Sequence, residues 1–286
     1  MSLVARKPTQ QLVDLVGALG GKWSGQSALC RCPAHDDRSP SLSIRQGDRG
    51  FLVHCYAGCE SADVLRELGR IVPGQRYAAP RWRDGPARPA NIERIWDKGI
   101  ETKGTLAETY LRQRGLPSDY PDIRFHPRCP HGPQPLTKFK PALLVAVRAG
   151  RQLTAIQRIF LDPATGAYTE KVMIGSPGQG AWQGAVPCDS LAIAESFEDA
   201  AAFMKLGHGP CWTSLGAGRL HLLTFPACVT TIIIAEDNDA EGRRAARRAW
   251  ADYRAKGLTV RRIKPPEPHK DWAAVNADMQ PKEERD

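Results

Sequence analysis

The sequence predicts an α/β fold that follows a small cysteine-rich unit. From Leu191 onward, short apolar segments alternate with helical ones, the order that βα units and a mainly parallel sheet require. Before residue 76, short β-like segments instead surround closely spaced cysteines and histidines. Residues 77–91 contain three prolines and three arginines with almost no apolar periodicity, which is typical of a basic linker.

Composition narrows the class of protein. The 286 residues are 42% hydrophobic, enough for the cores of two or three domains. An excess of 40 Lys and Arg over 31 Asp and Glu gives a net charge of +9, which favours an anionic partner such as nucleic acid. Because there is no membrane-length apolar run and no signal-peptide core, we expect a cytoplasmic protein with reduced cysteines and no membrane partner.

The N-terminal unit is predicted to span residues 1–76. A helix is expected at residues 9–19, where apolar residues recur on one face before a Gly-Gly pair. Residues 51–55 are expected to form a strand. Ser61 is predicted to cap a second helix, with Leu65 on its inward face.

The middle of the chain, residues 92–188, is predicted to mix helix and strand. A helix is expected around Tyr110. After a proline-rich loop, residues 142–148 and 153–161 are expected to be strands joined by a turn.

Residues 189–286 carry the alternating pattern of βα units. Strands are predicted at residues 191–195, 211–215, 230–237 and 258–263, and helices at residues 199–207 and 240–257. We therefore expect a mainly parallel sheet in this part of the chain.

Two pairs of residues near the N-terminus have the spacing of metal ligands. Cys32 and His35 are separated by two residues, and Cys55 and Cys59 by three. Two such turns brought together by a hairpin complete a tetrahedral zinc site, and reduced Cys and His clusters favour metal binding over disulfides. Either of two adjacent residues can replace one of these ligands: Cys30 and His54. A second group in "HPRCPH" (His126, Cys129, His131) is interpreted as incidental.

Carboxylates follow two of the predicted buried strands. Glu195 ends the first, with Asp199 on the following helix, and Asp237 and Asp239 end a later one. Because ligands of open α/β sheets bind at the carboxyl ends of the strands, we expect these groups to meet there. Carboxylate oxygens suit Mg²⁺, which takes its remaining ligands from water and phosphate. For two neighbouring acidic residues, Glu198 and Glu241, an interaction with a helix dipole is the simpler interpretation.

The first motif resembles a known family. "CPAHDDRSPSLSI" and "VHCYAGCESADVLREL" are similar to the CHC2 zinc ribbon of DnaG-type bacterial primases. The gap between Cys55 and Cys59 is more like primases of phages, plasmids and integrative elements. The resemblance implies a ribbon that binds single-stranded template, with Asp36, Asp37 and Arg38 on the nucleic-acid face.

The second motif resembles the TOPRIM domain of the same primases. Their E-G-x-x-D corresponds to "ESFED", in which Ser196 replaces the glycine, and their D-x-D motif to "DNDAEGRRAA". A later acidic position corresponds to Asp271 in "PPEPHKDWAAV", where the match is looser. In the middle region, the resemblance implies that Arg158 and Lys171 line the catalytic groove and contact phosphates. Other basic residues are interpreted as solvated surface: Lys138, Lys140, Arg148, Arg244, Arg247 and Arg248.

The resemblance implies a zinc ribbon followed by a primase core with an α+β subdomain and a TOPRIM subdomain. Its expected activity is the synthesis of RNA primers for a mobile element, with single-stranded DNA as template and nucleoside triphosphates as substrates. Mg²⁺ or Mn²⁺ would be held by the carboxylates, and any replicative helicase is expected to be a separate protein. Two alternatives stay open: a non-catalytic single-strand-binding replication factor and a TOPRIM nuclease.

Overall fold

The computed structural model describes residues 7–24, 27–47, 50–79, 92–132 and 137–280. The chain divides into two compact units, one of residues 1–89 with 132–137 and the other of residues 90–131 with 138–286. Most of the predicted linker, residues 80–91, lies outside the described residues. The finer division predicted at residues 76, 91 and 188 stays a prediction.

The first unit is a four-stranded antiparallel sheet with two helices. Its elements are α1 (Gln10–Ala18), β1 (Lys22–Ser24), β2 (Ser27–Cys30), β3 (Leu42–Gln46), β4 (Phe51–Cys55) and α2 (Ser61–Leu68). The sheet order is β1-β2-β3-β4, and Thr9 caps α1 by accepting a hydrogen bond from Leu12 N. Two details of α2 were predicted wrongly: Ser61 is its first helical residue rather than its cap, and Leu65 is exposed.

The second unit begins with two helices and an antiparallel sheet. These elements are α3 (Ile92–Asp97), α4 (Leu106–Gln113), β5 (Ile123–His131), β6 (Lys138–Ala149), β7 (Gln152–Leu161) and β8 (Tyr168–Gly175). The strands pair in sequence order. Both faces of the two central strands are covered, since β6 and β7 each contain a continuous run of six or seven buried residues. In sequence, strands that are buried on both faces appear as unbroken apolar runs rather than as alternating apolar and polar residues.

A second, mainly parallel sheet completes this unit. Its elements are β9 (Trp182–Gln183), β10 (Ser190–Ala194), α5 (Phe197–Lys205), β11 (Cys211–Thr213), β12 (Thr231–Ala235), α6 (Ala240–Ala255), β13 (Thr259–Ile263) and α7 (Trp272–Asp278). The order is β13-β12-β10-β11-β9, with only the edge strand β9 antiparallel. The α/β fold class and its mainly parallel sheet are therefore confirmed.

Helix α5 lies in the core between the two sheets. Phe197 and Phe203 belong to one hydrophobic cluster with Leu143 and Ile159 of the antiparallel sheet. The ring of Phe197 packs edge-on against Trp182, with their centroids 4.8 Å apart. Since α5 starts where β10 ends, this packing fixes the residues at that junction.

In the described part of the chain, no helix combines the length and hydropathy that crossing a membrane requires.

Candidate metal centres and acidic site

The four predicted zinc ligands come together in the first unit. One ligand atom each from Cys32, His35, Cys55 and Cys59 lies within 4.8 Å of the others, and His35 Nδ1 is 3.2 Å from Cys59 Sγ. A tetrahedral zinc ion with Zn–S distances of about 2.3 Å would place its ligand atoms about 3.7 Å apart, so the group fits such an ion. Burial raises the pKa of the Cys32 thiol to about 12, and a bound cation would favour the thiolate.

Asp37 organises the turn that carries the first two ligands. Its carboxylate accepts hydrogen bonds from the backbone N–H of Cys32 at 2.7 Å and from Ser41 Oγ at 2.6 Å, and it lies 3.7 Å from His35 Nε2. Asp37 lies beside the predicted ligands, as the resemblance implied, with its side chain only 5% exposed, and its place on a nucleic-acid face stays a prediction. Arg38 does lie on the surface, 91% exposed.

The alternative ligands stay outside the cluster. Cys30 Sγ instead contacts the carbonyl oxygen of Leu42 at 3.7 Å, and the His54 ring packs edge-on against Tyr56. In "HPRCPH", His131 pairs with Glu170 at 2.8 Å. Within the described ranges, the four-residue cluster is the one group of His, Cys, Asp or Glu whose atoms are close enough to hold a metal by this distance criterion.

The acidic site lies where β10 and β12 end. These neighbouring strands are parallel, with Ala194 opposite Ala235, so Glu195 and Asp237 follow at the same edge of the sheet. Three helices also begin there: Ser196 caps α5, Asp239 caps α6 and Asp271 caps α7. The positive ends of three helix dipoles therefore meet the carboxylates.

Hydrogen bonds connect the three helix starts. Asp199 accepts from Ser196 Oγ and, at 3.0 Å, from the backbone N–H of Ala273 in α7. This bond ties α5 to α7 beside Asp271. Across the site, Lys270 Nζ lies 3.4 Å from Asp239 Oδ2, a cationic contact that the motif analysis missed.

Electrostatics shows that the carboxylates share one site. Burial and then repulsion from Asp199, Glu195, Asp271 and Asp239 raise the pKa of Asp237 to about 8. Burial likewise raises the pKa of Asp199 to about 6, with Asp271 adding to it, and the pKa of Glu195 is also raised. Asp239 has a lowered pKa because Gly242 N and Lys270 stabilise its anion.

The chemistry of these donors suits a divalent cation, although the carboxylates do not meet the distance criterion that the Cys/His cluster meets. Asp237 Oδ1 is buried without a hydrogen-bond partner, and its carboxylate is repelled by at least four others. A hard cation such as Mg²⁺ would satisfy that oxygen and offset the repulsion. Glu195, Asp237 and Asp239 are the residues whose position suits this role.

We expect the zinc-loaded protein, in the absence of Mg²⁺ and Mn²⁺, to lose stability as the pH rises from 6.5 to 8.5. Because the folded pKa of Asp237 is about 8 and the ordinary value about 4, the folded state holds more protons across this window, and stability falls as they leave. After discounting for solvent screening, the loss is about 1 kcal/mol. Urea unfolding with zinc present throughout measures it.

The matched tests are Mg²⁺ and Asp237→Asn. Either should flatten the pH dependence, Mg²⁺ by offsetting the charge and the substitution by removing it. Histidines with lowered pKa values, such as His126, have finished contributing above about pH 6.5. The pKa of His269 is raised by its hydrogen bond with Asp278, so this residue also loses stabilisation in the window, and the difference between wild type and Asp237→Asn isolates Asp237. A slope of wild-type size in Asp237→Asn would contradict the assignment.

Two buried carboxylates beside the site have partners that sequence analysis missed. Glu198, interpreted as a helix-dipole residue, is buried and pairs with Lys171 at 2.6 Å and with the Tyr110 hydroxyl. Burial raises the pKa of Glu198, but these two partners outweigh it and the net pKa is lowered. Glu236, next to Asp237, pairs with Arg262 at 2.6 Å. The sequence pattern that could have indicated their burial is an acidic residue inside an apolar run, as for Glu198, or directly after one, as for Glu236.

The structure does not bring Arg158 and Lys171 to one groove. In the pairing of β7 with β8, Arg158 is opposite Val172 and Lys171 is opposite Ile159. Because side chains alternate between sheet faces, Arg158 and Lys171 point to opposite faces. Arg158 is 7% exposed and donates to the carbonyl oxygen of Pro130, and Lys171 is held by Glu198. The interpretation that both line one groove is therefore corrected.

Comparison with known proteins identifies two regions of the chain. Residues 190–278 match the Toprim domain, and residues 86–184 match a domain of unknown function, DUF7146. The chain therefore carries a Toprim domain at the acidic site, as the motif resemblance implied. Among curated proteins, none matches the chain.

Several primases are among the solved structures that resemble this chain. The zinc-binding and RNA polymerase domains of Aquifex aeolicus primase are 13% identical, with 94% of this chain and 81% of that chain covered and a TM-score of 0.49. A DNA primase domain from Pseudomonas aeruginosa is 17% identical, covering 65% and 74%, with a TM-score of 0.48. The primase fragment of the bacteriophage T7 primase-helicase protein is 16% identical, covering 87% and 95%, with a TM-score of 0.41.

Proposed function

We propose that this Toprim-containing chain is a primase that joins ribonucleotides on a single-stranded DNA template. The observation that carries the proposal is the convergence of Glu195, Asp237 and Asp239 at one edge of the Toprim sheet, with a buried oxygen that lacks a partner. The Cys3His cluster and the basic charge add a nucleic-acid-binding context. The motif resemblance supports a primase of the mobile-element type.

The reaction proposed is nucleotidyl transfer. The 3′-hydroxyl oxygen of one nucleotide bonds to the α-phosphorus of the next triphosphate, and pyrophosphate leaves as the hydroxyl proton passes to solvent. Divalent cations, when bound, would neutralise the triphosphate and favour the hydroxyl anion. Glu195, Asp237 and Asp239 would hold these cations, and Asp199 and Asp271 would keep the three helix starts in place.

The side chains of this chain also set the charge around the substrate. Lys270, 66% exposed beside Asp239, is placed to move from that carboxylate to an incoming phosphate. Buried Glu236 holds Arg262 at the same end of the neighbouring strand β13. Arg38 at the surface of the first unit, with the zinc cluster, would contact template. The cytoplasmic location and the separate helicase stay predictions.

The test is a priming assay with the full chain, zinc, single-stranded DNA of mixed sequence, labelled ribonucleotides and Mg²⁺ or Mn²⁺. The proposal expects short labelled oligomers that depend on template and divalent cation. Intact template with no product would favour the non-catalytic binding protein, and shortened template would favour the nuclease. Either outcome would overturn the proposal.

A further inference from the structure

The exposed face of α6 carries a concentration of arginine that folding does not explain. We define the α6 basic face as Arg244, Arg247, Arg248 and Arg254, with Trp250 beside them; all are exposed. Tyr253, Ala246 and Ala249 form the buried face of the same helix. In the described part of the chain, the ion pairs formed by arginines involve residues outside the α6 basic face.

Like charges are closely spaced in the middle of α6, and such spacing opposes helix stability. Arg244 and Arg248 are four residues apart, as are Arg243 and Arg247, so like charges stack along the helix surface. Arg254, in the last turn of α6, is favoured by the helix dipole, whereas Arg244, Arg247 and Arg248 in the middle of the helix gain nothing from it. A solvated face normally alternates charges, whereas the helix contains only Glu241 and Asp252 as acidic residues. The arrangement costs stability in the free protein, and an anionic partner would offset that cost.

Small residues leave the arginines accessible. The other exposed positions of α6 are Glu241, at its start, and three alanines, Ala240, Ala251 and Ala255, which carry no side chain long enough to shield the guanidinium groups. A polyanion can therefore approach the helix along its length.

Trp250 favours single-stranded nucleic acid over duplex nucleic acid as the partner. Arg254 Cζ lies 4.6 Å from the centroid of the Trp250 ring, which is 36% exposed. An exposed tryptophan among arginines offers a base a stacking surface, and unpaired bases use such surfaces whereas paired bases in a duplex do not.

We propose that the α6 basic face is a binding surface for single-stranded nucleic acid, in which arginines contact phosphates and Trp250 stacks on a base. Because α6 begins at Asp239, the bound strand would lead away from the acidic site. The inference goes beyond the proposed function, since it concerns binding and requires no reaction. It applies equally to a chain that makes no primers.

The test compares two triple variants of the full, zinc-loaded chain. Arg244→Ala/Arg247→Ala/Arg248→Ala removes three charges from the α6 basic face. Lys103→Ala/Arg112→Ala/Arg151→Ala removes three exposed charges elsewhere in the same unit. Fluorescence anisotropy with labelled oligo-dT at several salt concentrations gives the affinity and its salt slope.

We expect the α6 variant to bind at least tenfold more weakly at low salt, with the salt slope reduced by about 2 for three lost phosphate contacts. Its thermal midpoint should equal or exceed that of wild type, which separates lost binding from misfolding. The control variant should show a much smaller loss. Equal losses in both variants, or none in the α6 variant, would overturn the proposal.

Trp250 tests the preference for single strands. Trp250→Ala should weaken binding to oligo-dT about fivefold or more and leave duplex binding unchanged, and Trp250→Tyr should restore most of it. A duplex preference in wild type, or equal effects on both ligands, would refute this part. The anisotropy measurements do not depend on primer synthesis. Loss of binding by the α6 variants and absence of primer synthesis can therefore be distinguished.

Discussion

Asp237→Asn should abolish primer synthesis, with a loss of about a thousandfold or more, equal to about 4 kcal/mol of transition-state stabilisation. Asp237 is the most strongly perturbed carboxylate of the acidic site, and its buried oxygen has no partner in the protein. Asparagine keeps the shape but lacks the charge that a divalent cation requires. The measurement is the steady-state rate of oligomer formation at saturating Mg²⁺.

The control is Asp189→Asn, which removes an exposed carboxylate just before the other end of β10. It should leave the rate unchanged. The variant Asp237→Asn should also remain folded, and at pH 8 it should unfold at a higher urea concentration than the metal-free wild type, because a repelled charge is gone. Full activity in Asp237→Asn would remove this residue from the catalytic site.

Removal of zinc should unfold the first unit and leave the second unit intact. The core of the first unit contains few large side chains, and three of its cysteines belong to the Cys/His cluster proposed to bind zinc. Structural zinc sites contribute about 10–16 kcal/mol of binding energy, which in small units is folding energy. Hydrogen exchange with mass spectrometry, before and after chelation, should show protection lost in α1, β2 and β3 but kept in β6, β7 and β10.

Cys55→Ser and Cys188→Ser form the matched pair for this test. Cys55 belongs to the cluster, whereas Cys188 is an exposed cysteine of the other unit. Elemental analysis should find one zinc ion per chain in wild type and Cys188→Ser, and much less in Cys55→Ser. Stoichiometric zinc in Cys55→Ser, with the first unit protected, would show that the ligand set is wrong.

Local patterns were sufficient to predict the parallel sheet and the zinc cluster. The alternation of apolar strands and helices fixes the order of βα units, and parallel pairing places Glu195 and Asp237 at the same edge. Ligand spacing brought Cys32 and His35 onto one turn. In each case, local patterns identify segments that then meet although they are distant in sequence.

Apart from the cap and one side chain of α2, the errors concern contacts between distant elements. Nothing near Glu198 in sequence indicates Lys171 or Tyr110, which reach it from β8 and α4. Arg158 and Lys171 lie on opposite faces of the sheet because of the register between β7 and β8. A register shift of one residue would place both side chains on the same face. The register between two strands is set by the packing of the whole strands. A sequence motif that contains two basic residues therefore does not determine which face of the sheet each side chain lies on.

The three helix caps have an evolutionary consequence. Asp239 and Asp271 each accept a backbone hydrogen bond at the start of a helix, at 2.7 and 2.8 Å, whereas Asp237 caps no helix. If the proposed catalytic activity were lost in a descendant lineage, selection for Asp, Asn or Ser at positions 239 and 271 would remain, because these residues cap helices. Position 237 would be released to drift toward uncharged residues. The residue found at position 237 in such descendants would therefore indicate when the proposed activity was lost more clearly than the residues at positions 239 and 271.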